Sequence, residues 1–318
     1  MSDNPRPVLP LLSLKSSSAK TELLTCLREE LPQEHIDFVE NFSLQELAST
    51  DVAIVANPDV SMLPRLPRLR WLQSMWAGVE DLIDVARKND LQLVRLIDPQ
   101  LALNMSETAL TWTLFLHLRM TEYAALQRDK RWQQLDYQPA ESRRISLLGL
   151  GQLGKVCAQR LADYGFSVSA WSAGPKNLPG IVCFSGPKGL QELLSKTDIL
   201  IVVLPLTEKT TDLIDQQALS LLPATASIIN FARGPIVNTN ALLDALDHNQ
   251  LNHAVLDVFD KEPLPTSSPL WQHKKVTVLP HIAAPTSPRS AARIAALNIQ
   301  NYRKKGEIPE SVDLDKGF

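Results

Sequence analysis

The sequence predicts an α/β chain of two parallel-sheet domains, the first of them discontinuous. Three observations carry this reading. Short β-rich runs alternate with helically spaced segments as far as Asp98-Pro99; the alternation restarts at Ile145 behind a glycine-rich turn; and one amphipathic helix follows the last strand with no strand after it. Such alternation is the pattern of a parallel sheet flanked by helices. A chain of 318 residues also exceeds what one hydrophobic core usually covers.

The elements follow in order. "PVLPLLSL", "HIDFVE", "DVAIVANP", "LRWLQSMW" and "QLVRLID" are the β-rich runs of the first unit, and "SAKTELLTCLREEL" has helical spacing between two of them. Residues 106–132 form one long helical pattern, apolar on more than one face, with Ser106 as its N-cap; so apolar a helix is expected to be buried between the two units. The second series runs "ISLLGL", a glycine turn, a helix through Asp163, "SVSAWS", "LQELLSKT", "DILIVVLPL", "SLLPATASIINFA", "TNALLDALDHN", "HAVLDVF" and "VTVLPH". The last helix, "SPRSAARIAALNIQNYRKKGE", starts with Ser287 as cap and Pro288 at its first position. It is expected to return to the first unit, giving domains of 1–100 plus 285–318 and of 101–284.

Bulk properties exclude several classes. A net charge of -3 with mixed signs gives no reason to expect nucleic acid or an anionic membrane as partner. The longest apolar run, "ILIVVLPL", is far too short to span a bilayer. The N-terminal "VLPLLSL" is equally short, follows Asp3 as well as Arg6, and lacks a small-residue cleavage site, against a secretory leader. Cys26, Cys157 and Cys183 are widely spaced without a CxxC, and read as reduced packing residues of a cytoplasmic protein with no metal site.

Chemistry enters at "GLGQLG". Gly149, Gly151 and Gly154 stand between a strand and a helix: one glycine for the turn, one for close approach of a pyrophosphate, one for helix packing. The bland alternative is a turn needed for packing alone. In an NAD site an acid about 20 residues on bonds the ribose hydroxyls. Here that strand end carries Ser172, followed by Lys176, which favours NADPH, with NADH possible; the alternative for Lys176 is a solvated loop charge. Three later strand ends carry Arg233, Glu262 and His281. An arginine fork holds a carboxylate and polarises a carbonyl, and a histidine gives or takes a proton near neutral pH while a carboxylate on its other nitrogen fixes the tautomer. Singly, each has an ordinary structural reading; their common placement beside a nicotinamide site favours catalysis.

The order GLGQLG, INFARG, LDVFDKEP, PHIAA resembles the D-isomer-specific 2-hydroxyacid dehydrogenase family over nearly the whole chain. The resemblance implies two Rossmann-like/flavodoxin-like domains with a cleft between them, and a homodimer. It implies Arg233, Glu262 and His281 as the catalytic set, and cofactor contacts from Gly149, Gly151, Gln152, Leu153, Gly154, Ser172, Lys176, Leu204, Pro205, Thr210 and Ala232. Asp257 matches the acid that binds the nicotinamide carboxamide. In "SMWAGVEDLI" the amides of Ala77 and Gly78 match those that hold the substrate carboxylate, with Trp76 beside them limiting pocket size or serving domain packing. "WAGVE", "WSAGPK", "PLWQH" and "PHIAA" look most like the subgroup that reduces glyoxylate and hydroxypyruvate. The arginines usual in that subgroup after the second strand are replaced by "AGPK". Other members of the family act on lactate or bulkier acids, and some keep the fold as cofactor-sensing binding proteins.

Overall fold

Val8–Leu12 (β1) is a five-residue run whose last four residues are buried, as a strand covered on both faces requires. In the computed structural model, which describes residues 6–14 and 18–317, it is the second of five parallel strands. Asp3, cited above against a leader, lies outside the described residues. The chain continues through α1 (Ser18–Glu30), β2 (His35–Phe38), α2 (Leu44–Leu47), β3 (Val52–Val55), β4 (Trp71–Ser74), α3 (Glu80–Lys88) and β5 (Gln92–Val94). Strand order is β2-β1-β3-β4-β5, every pair parallel. The order reverses between β1 and β3, and ligands of open α/β sheets bind beyond the strand ends at such a reversal.

The helix Pro288–Lys305 is built into this same sheet unit. Ser287 accepts from the Ser290 amide, Pro288 opens the first turn, and Gly306 ends the helix at φ 72°. Its buried face is small: Ala291, Ala292, Ala295, Ala296 and Ile299 pack with Leu9, Leu11, Ile54 and Trp71. Its end is pinned by charge. Arg303 bonds Glu34 through Nε and Nη2 at 3.0 and 3.1 Å and Asp51 through Nη1 at 2.8 Å, while Tyr302 donates to Asp51. The chain divides into a unit of Met1–Pro99 with Thr286–Phe318 and a unit of Gln100–Pro285.

In the second unit the elements are α4 (Pro99–His117), α5 (Met120–Arg128), β6 (Arg144–Leu148), α6 (Gln152–Tyr164), β7 (Ser167–Ser172), β8 (Val182–Ser185), α7 (Gly186–Ser195), β9 (Ile199–Val202), α8 (Gln216–Ser220), β10 (Ser227–Asn230), α9 (Thr239–Asp247), β11 (His253–Leu256) and β12 (Val276–Val278); Pro288–Lys305 is thus α10. The sheet order is β12-β11-β10-β9-β6-β7-β8, all parallel. Alternate residues separate two cores. Ile199, Ile201, Ile229 and Val255 face Cys157, Ala158 and Leu161 of α6; Leu200, Val202, Ile228 and Ala254 face Leu242, Ala245 and Leu246 of α9. β8, an edge strand with one exposed and three half-buried residues, has no counterpart among the expected strands: its apolar run, Ile181 to Phe184, is only four residues long.

Residues 106–132 are not one helix. α4 starts at Pro99, whose missing N–H costs nothing in a first turn. Ser106 is therefore not a cap: it lies buried inside α4 and donates to the Leu103 carbonyl at 2.8 Å. Arg119 breaks the pattern at φ 58°, and α5 begins after it. The three cysteines are free, and burial pushes the Cys157 thiol up to about 12, as suits a packing residue. Among the described residues no helix is long and apolar enough to cross a membrane, and no group of three or more His, Cys, Asp or Glu side chains is placed to hold a metal ion.

His253 gives this unit a pH-dependent stability. It opens β11, is buried, and pairs through Nε2 with Thr277 Oγ1 at 2.9 Å. Burial, then the positive neighbours His273 and Lys275, push its pKa down to about 4. The folded chain therefore holds the ring neutral, whereas the unfolded chain protonates it near the ordinary histidine value of 6.5. Its contribution is fully present above pH 6.5 and is lost as pH falls toward about 4. Urea unfolding at pH 7 and at pH 4.5 should show His253→Gln losing about 2 kcal/mol less than the parent over that interval; equal losses would mean that the site does not hold a neutral ring.

Candidate active site

The carboxyl ends of β6 and β9, where the order of the second sheet reverses, are joined by the glycine turn. Gly149 has φ 112°, and a Cβ on it would lie 2.7 Å from the Val203 carbonyl oxygen just past β9. A Cβ on Gly154 would lie 1.9 Å from the Gly149 oxygen, so α6 sits directly on the turn. Gly151 differs. It is the N-cap of α6 without a side-chain cap, and no protein atom lies within 4 Å of where its Cβ would project. Two glycines thus serve packing and the middle one faces open space at a helix amino end, where the amides of Gln152, Leu153 and Gly154 suit an anion. The donor set fits a pyrophosphate.

β7 ends at Ser172, which is buried and donates to the Gly174 carbonyl at 2.7 Å. Its single proton is therefore used locally. Lys176 is exposed and reaches back to the glycine turn, Nζ donating to the Leu150 carbonyl at 3.0 Å, so its charge stands at that turn. After β9, Leu204 turns into the core. Thr210 ties the following loop, donating to the Pro205 carbonyl at 2.7 Å and accepting from the Thr207 amide at 2.8 Å. What this segment can offer a ligand is mostly backbone.

β10 ends in Asn230, which is 1% exposed and missing from the sequence reading. Its Oδ1 accepts from the Ala232 amide and its Nδ2 donates to the Arg233 carbonyl, which fixes the backbone that carries Arg233. The guanidinium in turn donates to the Ala232 carbonyl at 2.6 Å. Gly234 then lies against the next loop: a Cβ there would be 2.0 Å from the Phe259 carbonyl carbon and 2.3 Å from the Asp260 amide nitrogen. Only a glycine allows the Arg233 segment to meet the segment bearing Glu262.

Glu262 closes that second segment on itself, Oε1 accepting from the Phe259 amide at 3.0 Å. Its Oε2 meets His281 Nδ1 at 2.7 Å. The carboxylate thereby assigns the Nδ1 proton to the shared bond and leaves Nε2 as the outward working nitrogen of a half-exposed ring.

His281 is held in an unusual backbone conformation, φ 55°. Asp257, just past β11, accounts for it. Its carbonyl accepts from the His281 amide at 2.9 Å, its Oδ1 from Ile282 at 2.7 Å and its Oδ2 from Ala283 at 2.9 Å. The carboxylate expected to meet a carboxamide is 1% exposed, and in this structure both of its oxygens clamp the histidine loop. Neither Asn230 nor this use of Asp257 has a local sequence signal beyond a polar residue at the end of an apolar strand.

In the first unit, Trp76 follows β4. Its amide donates to Ser74 Oγ at 3.0 Å, its carbonyl accepts from Leu96 at 3.0 Å, and its indole Nε1 donates to Asn57 Oδ1 at 2.7 Å. Ala77 and Gly78 come next, half-buried at the head of α3.

Comparison with known proteins places similar chains in one family. The sequence profile for the D-isomer specific 2-hydroxyacid dehydrogenase, NAD binding domain, matches residues 110–283. A glyoxylate/hydroxypyruvate reductase A of Yersinia enterocolitica is 36% identical over 301 residues, which cover 93% of this chain and 95% of the relative. A D-isomer specific 2-hydroxyacid dehydrogenase from Xanthobacter autotrophicus Py2, solved with NADPH and MES, matches with a TM-score of 0.91 at 32% identity, covering 99% of this chain and 100% of that one. An NADPH-dependent glyoxylate/hydroxypyruvate reductase from Sinorhizobium meliloti, solved with NADP and sulfate, matches with a TM-score of 0.86 at 27% identity over 98% and 99% of the two chains.

Proposed function

The chain belongs to the D-isomer specific 2-hydroxyacid dehydrogenase family, and on that footing we propose that it is an NADPH-preferring reductase of small 2-oxo acids, glyoxylate and hydroxypyruvate. The observation that carries the chemistry is the Glu262–His281 bond of 2.7 Å on a backbone fixed by Asp257. The glycine turn would hold the cofactor's pyrophosphate, and the reduced nicotinamide would supply a hydride to the carbonyl carbon. His281 delivers the proton to the carbonyl oxygen from Nε2, and Glu262 supports the charged ring before transfer. Arg233 takes the substrate carboxylate and polarises the carbonyl. We assign the amides of Ala77 and Gly78, in the other unit, to substrate binding as well. Oxidation of NADPH against a panel of 2-oxo acids tests the reading: binding of NADPH without turnover of any of them would make the chain a cofactor-sensing protein instead.

Cofactor choice rests on the end of β7, where an acid is absent and the Lys176 ammonium stands at the glycine turn. The lysine pairs with the 2'-phosphate, and Ser172 leaves it room. Charge-assisted bonds of this kind are worth about 1.5–3 kcal/mol, so Lys176→Ala should raise KM for NADPH roughly tenfold or more and leave KM for NADH nearly unchanged. Ser172→Asp should turn preference toward NADH. Steady-state kinetics with both cofactors decide it; a parent enzyme equally efficient with NADH would overturn the assignment.

We also propose a homodimer formed through α5 and its flanks, in the cytoplasm. α5 has no buried residue, and Leu118, Met120, Tyr123, Trp132 and Tyr137 are exposed in and around it. Exposed apolar side chains gathered in and beside one helix suit an interface. Sedimentation should give twice the chain mass for the parent and a monomer for the Tyr123→Glu, Trp132→Glu double variant.

A further inference from the structure

Asn57 stands just past β3, at the reversal of the first sheet, with φ 52°. Asparagine tolerates this left-handed conformation better than most residues. Three strand ends meet on it. Its carbonyl accepts from the Leu14 amide at 2.8 Å beyond β1, its own strand ends there, and its side chain receives the Trp76 indole from beyond β4. The atoms in that last bond are unambiguous, because indole Nε1 only donates and so must face the amide oxygen. With its amide on Ser74 Oγ and its carbonyl under Leu96, Trp76 is tied at every polar atom.

We propose that Asn57 is a positioning residue for substrate specificity: by latching the Trp76 indole it makes a rigid wall beside the Ala77 and Gly78 amides and restricts the site to 2-oxo acids with little or no side chain. The inference rests on the functional reading above and deepens it. The indole packs in part against the core of the first unit; without the bond its polar edge would be free to shift and admit larger groups. The Asn57 bond removes that freedom. Glyoxylate carries only hydrogen on its carbonyl carbon beside the carboxylate, and hydroxypyruvate one hydroxymethyl group. Phenylpyruvate carries a benzyl group that a fixed ring excludes.

Asn57→Gly removes the latch and keeps the left-handed backbone without strain; Asn57→Asp keeps an acceptor for the indole. Two measurements are needed. In nitrogen-15 spectra the Trp76 indole resonance, identified by its loss in Trp76→Phe, should shift and exchange faster in Asn57→Gly and stay near the parent position in Asn57→Asp. The ratio of kcat/KM for phenylpyruvate to that for glyoxylate should rise at least tenfold in Asn57→Gly, return toward the parent value in Asn57→Asp, and gain nothing further when Asn57→Gly is added to Trp76→Phe. An unmoved indole resonance in Asn57→Gly overturns the latch. So does an equal change of kcat/KM for both substrates, which is what a merely structural role would give. If the parent reduces no 2-oxo acid, the functional reading falls, and the indole resonance still decides the latch.

Discussion

His281→Gln should lower kcat for glyoxylate by about a thousandfold while the dissociation constant for NADPH stays within a factor of two or three. General acid catalysis by a placed side chain is worth roughly 10²–10⁴, and nothing else at this site can take its place: Glu262 is tied to the imidazole and to the Phe259 amide. Glutamine keeps a donor toward Glu262 but carries no transferable proton. The cofactor contacts proposed here come from the glycine turn, Lys176 and the loop after β9, none of which bonds to His281. Stopped-flow turnover and fluorescence titration with NADPH separate the two quantities. If both fall together, His281 is a structural residue of the loop and the assigned chemistry is wrong.

Gly234→Ala should be nearly as damaging without touching a reactive group. The added methyl would meet the Phe259 carbonyl carbon at 2.0 Å and the Asp260 nitrogen at 2.3 Å. Both are backbone atoms, so no rotamer change relieves the clash and two loops must part. The expected loss is about 3 kcal/mol of stability, at the upper end for overpacking. Activity should fall about a hundredfold, the usual consequence of displacing catalytic groups by an ångström. Gly151→Ala is the control: with no protein atom within 4 Å of its Cβ, the urea midpoint should hold while KM for NADPH rises. Equal midpoints for parent and Gly234→Ala would show that the loops are not packed as described.

These two cases mark what the sequence could and could not say. The glycine turn and the polar residues at strand ends are legible because each follows a short apolar run, and the pattern of a buried parallel strand stops where its side chains leave the core. Arg233, Glu262 and His281 are found that way. What holds them is not. Asn230 and Asp257 act through backbone amides of residues two to 26 positions away, and a bond to backbone leaves no mark on the partner's identity. Gly234 looks like an ordinary loop glycine until the Phe259 segment is placed against it. The break at Arg119 is silent for a different reason: Leu118, Arg119 and Met120 are all good helix formers, and Ser106 is misread as a cap because Pro99 already supplies the start. The Asn57–Trp76 bond joins two loops 19 residues apart that only the sheet order brings together.

The alanine face of α10 also sets a schedule for the chain's birth. Leu9, Leu11, Ile54 and Trp71 are covered in part by Ala291, Ala292, Ala295, Ala296 and Ile299, which a ribosome makes long after them. Residues 100–285 hold both of their own cores and can close as soon as they emerge. At about 5–20 residues per second, the first strand waits roughly 15–60 s for its cover. These strands are made early and covered late, and during that interval their apolar residues are the ones a chaperone would find open.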